Sequence, residues 1–134
     1  MTPKTTERPR AVSFTICGAP RTKKNHSIIS TKGNYPRLLP SPQFAAWNRI
    51  AQIEMARLRS AWPSLLSFAA PVNVCAAFYR DAERGDAVGY YQALADALEE
   101  AGIVENDRLI VSWDGSRLLK DAKNPRIEVT LEAV

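Results

Sequence analysis

Apolar residues recur along the chain with two different periods, and the changes of period mark its elements. Over residues 11–17 (AVSFTIC), Val12, Phe14 and Ile16 share one side of a two-residue repeat, which predicts a strand. Gly18 to Pro20 ends it, and residues 21–26 (RTKKNH) follow as a basic loop. Residues 27–30 and 35–39 flank Thr31-Lys32-Gly33-Asn34, a turn sequence that predicts a hairpin. Ser41 then supplies a capping hydroxyl and Pro42 the first helical position. Phe44, Trp47, Ile50, Ala51 and Leu58 continue at helical spacing to about Arg59. Pro63 and the serine-containing stretch 64–67 break that helix. Residues 72–79 (VNVCAAFY), led in by Pro71, read as a largely buried strand. Asp86 is placed to cap a second helix over 87–101, with Gly102 as its stop. Residues 108–113 (RLIVSW) predict a strand, Asp114-Gly115 a turn, and 127–131 a final strand after Asn124-Pro125.

This order predicts an α+β fold, with two helices packed on a mixed sheet of about four strands. Residues 1–10 hold two prolines, several threonines and no apolar periodicity, so they are expected to be a flexible lead-in to a single domain over 11–134. A chain of 134 residues, 46% hydrophobic, suits one domain with a real core. No apolar run approaches a membrane span and no secretory leader is visible, so no membrane partner is expected. Cys17 and Cys75 form no metal or redox spacing, and a reducing cytoplasm is the expected location.

The net charge of +4 conceals a division. Residues 1–50 carry nine Lys/Arg and one acid, a charge of +8, whereas residues 51–134 carry nine Lys/Arg and thirteen acids, a charge of −4. A positive face attracts nucleic acid or anionic surfaces, and clustered carboxylates attract hard cations. The one histidine, His26, sits in the basic loop, which argues against histidine-based triads. No Cys/His group suits zinc and no Gly-rich phosphate loop is present. The acids remain: Asp81, Glu83 and Asp86 before the second helix, Asp96 within it, Glu105 and Asp107 after it. Metal-dependent phosphodiester cleavage commonly uses two to four such groups. Each acid also has a structural use: Asp86 as a cap, Asp107 in a turn, Glu99 and Glu100 as solvated charges. Asp86 and Asp96 on one helix would stand about 15 Å apart, too far to share an ion, and a helical Asp such as Asp96 is usually paired or hydrogen-bonded.

The segment from Gly85 to Asp107 (GDAVGYYQALADALEEAGIVEND) resembles the signature of the RusA-type Holliday junction resolvases, most specifically from Asp96-Ala97-Leu98 to Asp107. Pro20-Arg21-Thr22-Lys23-Lys24-Asn25 resembles the family's basic loop after strand one. The stretch from Trp113-Asp114-Gly115 to residues 124–129 (NPRIEV) looks like its closing hairpin. The resemblance spans about residues 12–132. It implies a homodimeric, Mg²⁺-dependent endonuclease of phage or prophage type, Mn²⁺ being an alternative ion, that nicks four-way junction DNA in recombination and repair. By position it implies Asp86, Asp107 and Asp96 as catalytic acids, the first two as metal ligands; Arg21, Lys23, Lys24 and Asn25 of the basic loop are the expected DNA contacts, with Lys120 near the end as a further basic candidate. The sequence departs from the pattern at four positions: Val88 stands where the family has a second acid, Gly89 for Asn, Gln92 for the catalytic Lys and Asn106 for the first Asp of a pair. Asp107 lies beyond the far end of the helix from Asp86, so one site holding both needs the chain to fold back or a partner subunit to supply an acid. Two other functions fit the sequence: a junction-binding protein without catalysis, and a dimeric interaction module built on the Phe44/Trp47 helix with no role for DNA.

Overall fold

The computed structural model describes residues 10–23, 28–30, 37–39, 41–63 and 67–134. Its main sheet is built around β4 (Val72–Arg80). β4 alternates strictly: Val72, Val74, Ala76 and Phe78 are buried, and the residues between them are half-buried. β7 (Arg126–Ala133) pairs antiparallel along one edge of β4, and β1 (Ala11–Cys17) pairs antiparallel along the far side of β7. The registers bring Phe14, Val129 and Ala76 into one row, and Ile16, Ile127 and Phe78 into another. The period-two pattern of three separate segments thus becomes one apolar face.

Two helices cover that face. α1 (Pro42–Ala61) begins as expected, with the buried Ser41 hydroxyl accepting the Phe44 N–H at 3.1 Å. It turns Phe44, Trp47, Ala51 and Met55 into the core. Phe44 and Trp47 therefore offer no surface to a partner. The large apolar side chains that α1 leaves exposed are Ile50 and Ile53, with Trp62 just beyond its end. α2 (Ala87–Glu100) buries Tyr90, Ala93, Leu94, Ala97 and Leu98. Polar side chains of α1 tie the helices together: Gln52 donates to the Ala97 carbonyl at 3.0 Å and Arg59 to the Ala101 carbonyl at 3.1 Å. Both acceptors lie at the C-terminal end of α2; the Ala97 carbonyl also accepts the Ala101 N–H at 3.0 Å, so Gln52 adds a second donor to it. A separate antiparallel pair, β2 (Ile28–Ser30) with β3 (Arg37–Leu39), realises the predicted hairpin strands; its turn at 31–34 is outside the described residues. Of the expected lead-in only Arg10 is described. It is anchored: its guanidinium donates to the Ser67 carbonyl at 2.8 Å and lies 3.8 Å over the Phe68 ring.

The other edge of β4 departs from expectation. The strand predicted over 108–113 starts late, because Asn106 caps a single 3-10 turn at Asp107–Leu109 by accepting the Arg108 N–H. β5 (Ile110–Ser112) then runs parallel to the start of β4, and β6 (Arg117–Lys120), which the apolar pattern did not reveal, runs parallel to its end. The closing hairpin does not form as such. β6 and β7 lie on opposite edges of β4, separated by it. The sheet has five strands where about four were expected, and the class remains two helices on a mixed sheet. Among the described residues no helix is long and apolar enough to cross a membrane, and both cysteines are free.

Replacing Ser41 by Ala should lower stability by about 1 kcal/mol, the usual cost of losing an N-cap. It should appear as a lower denaturant midpoint with an unchanged slope.

Candidate functional site

The break between β5 and β6 is held by β4 itself. The Asn73 amide oxygen accepts from the Ser112 hydroxyl at 2.6 Å and the Asp114 N–H at 2.8 Å, while its nitrogen donates to the Asp114 carbonyl at 3.2 Å. The Ser116 hydroxyl accepts the Ala76 N–H and donates to the Val74 carbonyl. Gly115 sits at φ +88°, and a Cβ there would meet the Cys75 sulfur at 2.9 Å, so the turn needs glycine on two counts. This stitched turn carries Trp113 to the side of α2.

There Trp113 stacks on Tyr91, with ring centroids 4.6 Å apart and planes within 5°. The pair lines an open cleft of about 300 Å³ between α2 and the chain that returns alongside it. Its other lining residues are Val88, Gln92, Ala95, Asp96, Asp107 and Ile110. The returning chain is fixed by the Asp107 N–H, which donates to the Glu99 carboxylate at 2.7 Å. The chain after α2 folds back alongside it, although the fold-back expected from the sequence was one that brings Asp107 to Asp86. It delivers Asp107 to the same cleft as Asp96. Asp86 is not among the residues lining that cleft.

Asp86 stands at the N-cap of α2, where its Oδ1 accepts the Gly89 N–H at 2.9 Å. A Cβ on Gly89 would lie 2.7 Å from that oxygen and 3.1 Å from the Thr22 methyl carbon. Glycine at this position thus admits both the cap and the loop after β1, which presses on the helix through the buried Thr22. One residue on, Lys23 Nζ reaches Asp96 Oδ2 at 2.6 Å. Arg21 pairs with Asp81 at 3.4 Å, and Asp81 also meets Arg84 at 3.4 Å. The basic front of the chain is thereby folded onto the acidic rear. Both loop cations are partly exposed, so each pair contributes little stability, about 0–1 kcal/mol. Lys120 is exposed at the end of β6, opposite Arg80. Lys24 and Asn25 lie outside the described residues.

Tyr90, next to the cleft pair in sequence, points the other way into the core, and its hydroxyl donates to the Arg84 carbonyl at 2.8 Å. Burial pushes its pKa above the usual tyrosine value against the opposing pull of Arg80 and Arg21, so it stays a neutral donor.

The donor set for a hard cation is small. Among the described residues no three His, Cys, Asp or Glu side chains are grouped as a metal site. Mg²⁺ needs fewer protein ligands than that, because it keeps waters and takes substrate phosphate oxygens beside one or two carboxylates. Asp107, whose carboxylate has no partner among the described residues, and Asp96, held by Lys23, fit that minimum. Tyr91 and Trp113 were not singled out from the sequence. The one signal for them is that Tyr91 falls beside, not on, the buried stripe of α2, and that Trp113 immediately precedes the Asp-Gly turn. In comparisons with known proteins, no family model matches the chain and no curated protein matches it.

Two sets of variants separate capping from chemistry. Asp86→Asn should keep the stability of α2, whereas Asp86→Ala should cost about 1 kcal/mol in chemical denaturation. A double-mutant cycle of Lys23→Met and Asp96→Asn should give a coupling below about 1 kcal/mol, as expected for a part-exposed pair.

Proposed function

We propose that the chain is a Mg²⁺-dependent, structure-specific DNA endonuclease acting on four-way junctions as a homodimer, in the manner of the RusA-type resolvases it resembles. The observation that carries the reading is the Lys23–Asp96 ion pair, which joins the basic loop to the cleft holding Asp107. A phosphodiester backbone brought in by cations of the loop would arrive beside the carboxylates. Arg21 and Lys23 contribute sequence-independent phosphate contacts, which position a duplex without reading it. Asp107 supplies a carboxylate free to take a metal ligand role, and Gln92 offers an uncharged amide at the same wall. An ion of this kind supplies activation of water and stabilisation of charge on the phosphoryl oxygens. A junction is a shape, so two equivalent sites at fixed separation in a dimer suit it.

A second reading has its own support. The Asp86 Oδ1 is engaged in capping, Val88 is 72% exposed with no charge to offer, and Gln92 carries none either. A junction-binding protein without catalysis is consistent with all three. The exposed Ile50 and Ile53 on α1 supply the remaining alternative, an interaction module independent of DNA.

Purified protein titrated with Mg²⁺ or Mn²⁺ on a synthetic four-way junction should nick opposed strands, and Asp107→Asn should abolish nicking while retaining junction binding. Salt-sensitive binding without nicking under any condition would replace the nuclease by the binding protein. The absence of a shift even at low salt would leave the interaction module.

A further inference from the structure

The aromatic pair in the cleft differs from the other aromatic contacts among the described residues. Phe44–Trp47, Phe78–Tyr90 and Phe78–Tyr91 are all tilted, at 40°, 38° and 35°, as interdigitating core rings are. Tyr91–Trp113 is parallel to within 5°. The rings form a ladder that starts at the fully buried Phe78, passes through Tyr91 at 5.9 Å and ends on the partly exposed Trp113 at 4.6 Å. Its inner end is locked in the core, and its outer end is fixed by the turn that Asn73 and Ser116 hold to β4. A rigid, flat, partly buried indole is therefore presented in an open cleft, with little ordering cost left to a ligand that stacks there.

The occupant is constrained by the surroundings. A cation is held best where several ring faces converge on it, whereas stacked parallel rings present a flat platform, which suits a planar ligand. The polar groups around the platform are the Gln92 amide and the Asp96 and Asp107 carboxylates, which can accept from ring N–H and exocyclic amino groups. Lys23 does not line the cleft but brings an ammonium to one of its lining carboxylates, Asp96. A planar heterocycle with amino edges, attached to an anionic backbone, matches this set. We propose that Tyr91 and Trp113 form a stacking site for an unpaired nucleobase of DNA. The site takes one base from a single-stranded or branch-point segment while the backbone runs past Lys23. This rests on the DNA reading above but turns on a different group of atoms, the stacked rings of Tyr91 and Trp113.

The test is photocrosslinking of a short single-stranded deoxyoligonucleotide bearing one 5-iodouracil, at low salt and without divalent ions. The crosslink should fall on the tryptic peptide 109–117, which contains Trp113, or on 85–108, which contains Tyr91. Trp113→Leu should weaken oligonucleotide binding roughly tenfold, within the range for loss of one stacked base, and Trp113→Phe should restore most of it. Since Trp113→Leu could loosen the turn, Gln92→Ala provides a second readout at the cleft wall; it should shift the preference among the four homopolymers without changing the thermal midpoint. Oligonucleotide binding with crosslinks elsewhere and no effect of Trp113→Leu would overturn the platform and leave the DNA reading standing. Crosslinking at Trp113 without any nicking of junctions would leave the platform and remove the nuclease. No binding of single strand or junction would overturn both.

Discussion

β4 is the strand on which the described structure depends. It is hydrogen-bonded along both edges, antiparallel to β7 on one side and parallel to β5 and β6 on the other. One of its faces is sealed by both helices. A strand paired on both sides has no spare backbone groups, so its register is fixed by its neighbours as much as by its own side chains. That fixity is passed outward. The end of β4 leads through residues 81–85 to the Asp86 cap and so sets where α2 begins. Asn73 near its start, with the backbone of Val74 and Ala76, sets where the opposite edge breaks. Both walls of the cleft are thus referred to one strand.

Much of this architecture was legible because it obeys short-range rules. The Ser41-Pro42 start, the Asp86 cap, the alternation of β1 and the strand character of β4 and β7 each follow from residues within a few positions of one another. What was not legible depends on distant partners. β6 (RLLK) has no alternation of its own, and its strand character comes from pairing with residues 77–80 of β4. The late start of β5 comes from Asn106, two residues before the stretch that reads as strand, which caps a turn running into it. The candidate site divides in the same way. Asp96 was expected to be paired, and it is, but no spacing rule names a lysine 73 positions earlier as its partner. The stack of Tyr91 on Trp113 joins residues whose proximity is created by the edge break, which local pattern does not announce.

The charge division of the sequence also acquires a physical meaning. A +8 front and a −4 rear suggested two separate surfaces. Among the described residues they meet at Arg21 with Asp81 and at Lys23 with Asp96, on either side of the close approach between Thr22 and Gly89. Cations and acids that neutralise each other at rest are available to anionic ligands only by exchange. Charge counted along a sequence therefore overstates the field that a folded surface presents.

The placement of β7 between β1 and β4 bears on how the molecule assembles during synthesis. β1 is made first and β7 last of the described strands, yet β7 is the strand that joins β1 to the rest of the main sheet, and their side chains meet across 117 positions where the Ser13 and Thr130 hydroxyls bond at 2.9 Å. A nascent chain on the ribosome can form the β4–α2–β5 unit from neighbouring segments, but β1 must wait with its backbone unpaired until residues 126–133 emerge. The slow, long-range closure falls at the end, and the apolar residues Phe14 and Ile16 are the ones left exposed until it occurs.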